Sequence, residues 1–273
     1  MEGLPALNTV ADFQIYIIAS AIGLARMTGM VLVMPAFTRI GLTGLLRGGV
    51  ALALSLPLLP FIVATVTPEP MGFGQVAGLI FKETLVGMAI GLVLGVPIWA
   101  AEAAGEILDL QRGVTFAELV DPSATTQNNI AGTFFAVVMV ALFFLSGGLP
   151  LTLRAVYDSY SLWPLTSFMP VFSAESGRLF LTILDDILGI GLMLVAPIVL
   201  AMLLADLSLA LVARAAPHLN IFVLSLTVKN LAFALLLVLY SAFLLSYMRE
   251  NLALLVDGSK KLELYAPPKQ NSP

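Results

Sequence analysis

Glu102, Glu106 and Asp109 lie at offsets of 0, 4 and 7, a spacing that gathers three carboxylates on one face of a helix. Arg112 follows three positions beyond Asp109, close enough to pair with it. In strongly apolar surroundings such groups must line water, pair with other protein groups or leave the bilayer. Two readings follow: a solvated segment end, or a contact face in an inter-subunit or channel-lining network. Residues 113–129 come next and mix apolar Phe116, Leu119 and Val120 with Glu118, Asp121 and Pro122, ending in the uncharged polar run Thr125 to Asn129. Asp121 before Pro122 suits a turn or helix start, because a carboxylate caps free amides and proline fits a first helical turn. The stretch is too apolar for an idle linker and is expected to fold back against other helices.

Other charges also sit in apolar runs: Arg26, Lys82 with Glu83, Asp185 with Asp186, Asp206 and Lys229. Each should face protein, water or a headgroup. In a solute or proton transporter Asp185, Asp186 or Asp206 would be the relay candidates. Enzyme chemistry has less to work with. The one histidine, His218, lies in a polar connection, and neither H-E-x-x-H nor a glycine-rich phosphate loop ending in Lys-Ser or Lys-Thr is present. No catalytic, cofactor-binding or metal-binding residues are therefore assigned. With no cysteine there are no disulfides or thiolate metal sites.

The elements that position these groups are apolar helices. Of 273 residues 59% are hydrophobic and 11% charged, and the mean hydropathy is +1.01. A soluble domain carries about 25% charged residues. Net charge is −4 and the only basic cluster is Lys260 with Lys261, which argues against a nucleic-acid partner. The N-terminus lacks the pattern of a removed signal peptide. Charge-free runs cover 48–68, 84–101, 122–153, 187–205 and 230–248, and 13–37 is almost as apolar but holds Arg26. At 1.5 Å per residue, about 20 residues cross the hydrocarbon, so these predict about six helical segments in an all-α, polytopic membrane protein. Continuous apolar runs favour helices over a membrane barrel, whose strands alternate between lipid-facing and lumen-facing side chains.

Pro57, Pro60, Pro97, Pro150 (after Gly147 and Gly148) and Pro197 predict kinks and helical hairpins. Gly87, Gly91 and Gly95 form overlapping G-x-x-x-G units that could seat a neighbouring helix, within this chain or in another subunit. Residues 1–250 read as one helical domain containing the 102–129 segment. The tail 251–273 ends in a Pro- and polar-rich stretch expected to be disordered. Its basic residues favour a cytoplasmic C-terminus.

Two motifs carry a family likeness: Gly105-Glu106-Ile107-Leu108-Asp109-Leu110-Gln111-Arg112-Gly113, followed by Phe116 and Asp121-Pro122, and Arg214-Ala215-Ala216-Pro217-His218-Leu219-Asn220-Ile221-Phe222, followed by Lys229. Over nearly the whole chain the sequence resembles the SctT/FliR family, the T subunit of type III secretion export apparatuses and its flagellar counterpart. The Gln-Arg-Gly form and short tail resemble the injectisome branch more than the flagellar one. His218 stands where the family more often has glutamine. The resemblance implies a non-enzymatic subunit of an inner-membrane protein-export channel. One T subunit would assemble with five R and four S subunits, in a core that projects toward the periplasm. Further partners would be the switch or autoprotease subunit, other export-gate subunits, inner-rod or needle proteins and unfolded substrates. It also implies a plug-like loop over 113–129, with Gly113, Phe116, Leu119, Val120, Asp121, Pro122, Asn128 and Asn129 as sealing or loop-setting residues. Glu102, Glu106, Asp109, Arg112, Arg214, Pro217, Asn220 and Lys229 would make subunit or intramembrane contacts.

Overall fold

The computed structural model describes residues 10–65, 72–114, 129–165, 176–216, 218 and 220–252. Every regular element among them is helical: α1 (Val10–Val33), α2 (Pro35–Thr38), α3 (Gly44–Ser55), a 3-10 turn (Leu56–Leu58), α4 (Leu59–Thr65), α5 (Phe73–Arg112), α6 (Ile130–Leu145), α7 (Gly148–Leu162), α8 (Ser176–Ala215) and α9 (Ile221–Leu252). Among the described residues five stretches are long and apolar enough to cross a membrane. They become six if α6 and α7 count as one broken span. The fold is all-α and polytopic, as composition and segment length predict.

Proline acts differently at different sites. Pro57 lies in the 3-10 turn that separates α3 from α4, so the second apolar segment is broken where expected. Pro35 opens α2 and Pro150 falls in the first turn of α7, where a missing amide costs little. The break before α7 is made instead by Gly147, whose φ of 76° is left-handed backbone that glycine tolerates. Pro97 and Pro197 lie inside α5 and α8, which run on as 40-residue helices. Forty helical residues extend about 60 Å, twice the hydrocarbon thickness. The acidic motif therefore does not interrupt a membrane segment. It forms the last three turns of α5, continuing the helix that carries the apolar run.

The described residues fall into two compact units, the first comprising those up to Gly95 with Gly147–Leu181, and the second Val96–Ser146 with those from Thr182 onward. In the first unit, α1 packs on α3 and α4. Glycine lets α1 meet α5 at backbone distance. A Cβ on Gly87 would fall 2.0 Å from the Arg26 carbonyl oxygen, one on Gly91 2.7 Å from that of Met30, and one on Gly29 2.2 Å from that of Thr84. Gly87 and Gly91 thus seat a helix of this same chain. In the second unit, Gly191 of α8 approaches the Ala100 carbonyl of α5 in the same way, at 2.9 Å from a built Cβ. The outer sides of α8 and α9 expose Leu200, Leu204, Leu207 and Leu211, and Leu231, Leu235, Val238 and Leu239, as a lipid-facing or subunit-facing surface must.

Candidate functional site

At the C-terminal end of α5 the pair that the spacing permits is formed: Arg112 Nη2 donates to Asp109 Oδ1. Asp109 is nearly fully buried, and its second oxygen has a separate task. Oδ2 accepts from the backbone amides of Ala131, at 2.8 Å, and Gly132, at 3.3 Å. These amides belong to the first turn of α6, where no intrahelical acceptor exists. The residue in the cap position, Asn129, makes no side-chain cap bond. Asp109 supplies that cap from another helix, placing a carboxylate at the positive end of the α6 dipole. Asn129 instead donates from Nδ2 to Glu106 Oε1 at 3.1 Å.

Close backbone approach makes this geometry attainable. A Cβ on Gly105 would lie 2.3 Å from the Ala131 carbonyl oxygen and 2.5 Å from Gly132 Cα. One on Gly132 would lie 2.9 Å from Glu106 Cγ. Only hydrogen at these positions lets α6 start against α5. Gly113, with φ 77°, turns the chain away directly after Arg112.

Helix α9 completes the cluster. Arg112 Nη1 donates to Asn230 Oδ1 at 3.4 Å, and its Cζ lies 4.1 Å from the Phe233 ring centre, a cation–π distance. Lys229 Nζ sits 2.8 Å from Asp206 Oδ2 of α8 and 3.1 Å from the carbonyl oxygen of Gln111. That carbonyl is among the last of α5 and has no intrahelical partner, so the ammonium caps a negative helix end. Ser225 Oγ donates to the other oxygen of Asp206 at 2.8 Å. The end of one helix thus receives a cation and the start of the next a carboxylate.

The first unit holds a second buried network. Arg26 is wholly buried and directs Nε to Glu83 Oε2 at 2.5 Å, Nη1 to Ser159 Oγ at 2.8 Å and Nη2 to the Trp163 carbonyl at 3.0 Å. Its Cζ stacks 3.6 Å above the Tyr160 ring centre. Lys82 Nζ reaches the other oxygen of Glu83 at 2.9 Å and the Pro164 carbonyl at 2.8 Å. Both cations therefore meet carbonyls just beyond the C-terminal end of α7, and Glu83 bridges them. This is again a helix end closed by buried charge.

The other expected residues are scattered. Glu102 is half-buried and Glu106 exposed, on the same face of α5 as Asp109. Asp185 is exposed and Asp186 half-buried, about twenty residues before Asp206 on the same helix α8. Arg214 and His218 are exposed. Asn220 accepts from the Val223 amide at 3.4 Å and so caps α9 locally. Phe116, Leu119, Val120, Asp121, Pro122, Asn128 and Pro217 lie outside the described residues. Among the described residues no group of three or more His, Asp or Glu could hold a metal.

Sequence reasoning missed the Ala131 and Gly132 amides, Asn230, Phe233, the Gln111 carbonyl and the Asp206–Lys229 pair. A signal for the last was present: Asp206 and Lys229 stand twelve residues before and eleven after His218, nearly equidistant from the turn of a helical hairpin. The amide contacts carry no side-chain signal at all.

The model of the family described as bacterial export proteins, family 1, matches residues 17–255. The chain is 35% identical over 235 residues to the Yop proteins translocation protein T of Yersinia pestis, spanning 86% of this chain and 90% of that protein. It is 30% identical over 233 residues to the secretion system apparatus protein SsaT of Salmonella typhimurium, spanning 82% and 87% of the two chains. Identity to the flagellar biosynthetic protein FliR of Caulobacter vibrioides is 30% over 210 residues, spanning 77% and 82%.

Proposed function

The chain belongs to the bacterial export proteins of family 1, and from that premise we propose that it is the T subunit of a type III secretion export apparatus. On this reading it works in the inner membrane as a non-enzymatic channel component. Its partners are homologous R and S subunits, in a ratio of five R to four S to one T, together with the switch or autoprotease and export-gate subunits. Inner-rod or needle proteins and unfolded substrates pass through. The assembled core projects toward the periplasm, and energy comes from other components.

Within this reading residues 113–129 seal the closed channel. One observation supports it above the others: Asp109 binds Arg112 where that segment leaves α5 and the Ala131 and Gly132 amides where α6 begins. A single buried carboxylate thus closes the base of a 17-residue segment whose length and apolar content suit a plug. Asn129 on Glu106 adds a second tie at the returning end. Phe116, Leu119 and Val120 would exclude water and ions, Asp121 and Pro122 would set the turn, and Thr125 to Asn129 would tolerate a wet pore.

Two experiments test the two parts of the reading. Native mass spectrometry of the detergent-extracted complex should find one copy of this chain with R and S subunits, and a stable functional monomer would overturn the assignment. Deleting residues 113–129 should raise ion leakage at unchanged complex levels. Unchanged leakage would remove the seal while leaving the assignment intact.

A further inference from the structure

Helix α8 carries the span-length stretch Leu181–Ala215. Large apolar side chains stand exposed along it from Leu181 to Val212. At 1.5 Å per residue this surface is about 46 Å long, against about 30 Å of hydrocarbon. Enclosing it in lipid would need a tilt of about 50°, beyond the range of about 0–40° found for membrane helices. Lipid thus leaves part of the face bare, and bare apolar surface of that extent is where protein docks. One charge interrupts it. Asp185 lies on the same side of the helix as Leu181, Leu188 and Leu192. It is exposed, and its carboxylate makes neither an ion pair nor a hydrogen bond among the described residues. The nearest charges in sequence, Arg178 and Asp186, are already engaged. Beside it Gly189 has open space where a Cβ would stand, whereas Gly191, on the other side of the helix, meets α5.

We propose that this face of α8 docks an apolar helix of a partner subunit bearing a Lys or Arg opposite Asp185, which rests on the reading of this chain as one subunit of an export apparatus. A covering helix takes Asp185 out of water, and a carboxylate buried without a counter-charge is strongly penalised. The occupant must therefore be cationic at that point and apolar on either side of it. A second copy of this chain running parallel would set Asp185 against Asp185, so charge selects a different subunit. The missing side chain at Gly189 lets the two backbones approach. A long basic side chain can then lie along the leucines and bring its charged end to the carboxylate.

The test uses the full chain coexpressed with its R and S subunits. A benzophenone amino acid replaces Leu188 or Leu192, the purified complex is irradiated, and mass spectrometry identifies what is crosslinked. The expected product is an apolar helix of a partner subunit with a Lys or Arg within about two turns of the crosslinked residue. Asp185→Lys sets like charges together and should cut that product by about tenfold or more. The melting temperature of the isolated chain should not change, because Asp185 has no partner of its own among the described residues. Exchanging the partner's cation for Asp should restore the crosslink to D185K. Crosslinks to lipid alone, in a complex that native mass spectrometry shows to hold R and S, would overturn the proposal and leave the assignment standing. So would a crosslinked helix without Lys or Arg, or undiminished crosslinking in D185K. A chain that never copurifies with R and S would overturn the assignment and this interface together.

Discussion

The Asp109 carboxylate accepts the backbone amide of Ala131 at 2.8 Å, although the two are 22 residues apart in sequence. One oxygen of the carboxylate thereby satisfies the start of α6, while the other faces Arg112 at the end of α5. The same residue neutralises a charge and caps a helix, and the two functions separate by substitution.

Asp109→Asn keeps an oxygen for the Ala131 amide but leaves the Arg112 charge uncompensated. Breaking one partner of a buried pair costs about 3–5 kcal/mol, an upper figure here because Arg112 is partly exposed and also rests on Phe233. Asp109→Ala loses the cap as well, adding about 1 kcal/mol. Thermal melts of the purified full chain should rank wild type above D109N above D109A. Equal melting of D109N and D109A would show that the cap contributes nothing.

Gly105→Ala puts a methyl group 2.3 Å from the Ala131 carbonyl oxygen, so α6 must retreat. Overpacking of this kind costs about 1–3 kcal/mol, and retreat would also lengthen the bonds from Asp109 to the α6 amides. Gly74→Ala, on the same helix in open space, should be neutral or stabilising by up to about 1 kcal/mol. Melting curves that fail to separate these two alanines would contradict the close helix contact.

Glu83 serves two cations, so its loss should exceed the loss of either one. Glu83→Gln leaves Arg26 and Lys82 buried together without a counter-charge, at a cost of about 3–5 kcal/mol or more. Lys82→Met gives up its contacts with Glu83 and the Pro164 carbonyl but leaves Arg26 and Glu83 as a neutral pair. Cellular levels and melting temperature should therefore fall further for E83Q than for K82M. The reverse order would mean that Glu83 is not the shared partner.

The Asp206–Lys229 pair is partly exposed, with the aspartate side chain 36% accessible, and should couple by about 1 kcal/mol at most. Lys229→Met also uncaps the Gln111 carbonyl, so it should destabilise more than Asp206→Asn, as a double-mutant cycle can measure. Asp206→Asn should still support export in cells. Complete loss of export in a normally assembled D206N complex would revive a proton-relay role.

Much of this was legible beforehand because apolar composition over helix-length runs leaves few options in lipid. The all-α architecture and the proline break at Pro57 follow from local pattern, since a charge-free run must satisfy its own backbone; the spacing of Asp109 and Arg112 allowed a pair without deciding that one forms. Pro97 and Pro197 did not end their helices, because a proline removes one hydrogen bond while the neighbouring turns keep theirs. The partner of Arg26 was not legible. Glu83 lies 57 residues away, and any of several charges could have met it.

Sequence by itself determined that this chain is a helical membrane protein and that its charges must be hidden or paired, since burial penalties depend on residue type alone. It also carried the motifs around Asp109 and Lys229. Tertiary structure decided which helix end each charge serves: Asp109 the start of α6, Lys229 the end of α5, Arg26 and Lys82 the end of α7. The physical reason is that the acceptors and donors at helix ends are backbone atoms, identical for every residue. Only the packing of one helix against another, permitted here by Gly105 and Gly87, determines which of them comes within reach.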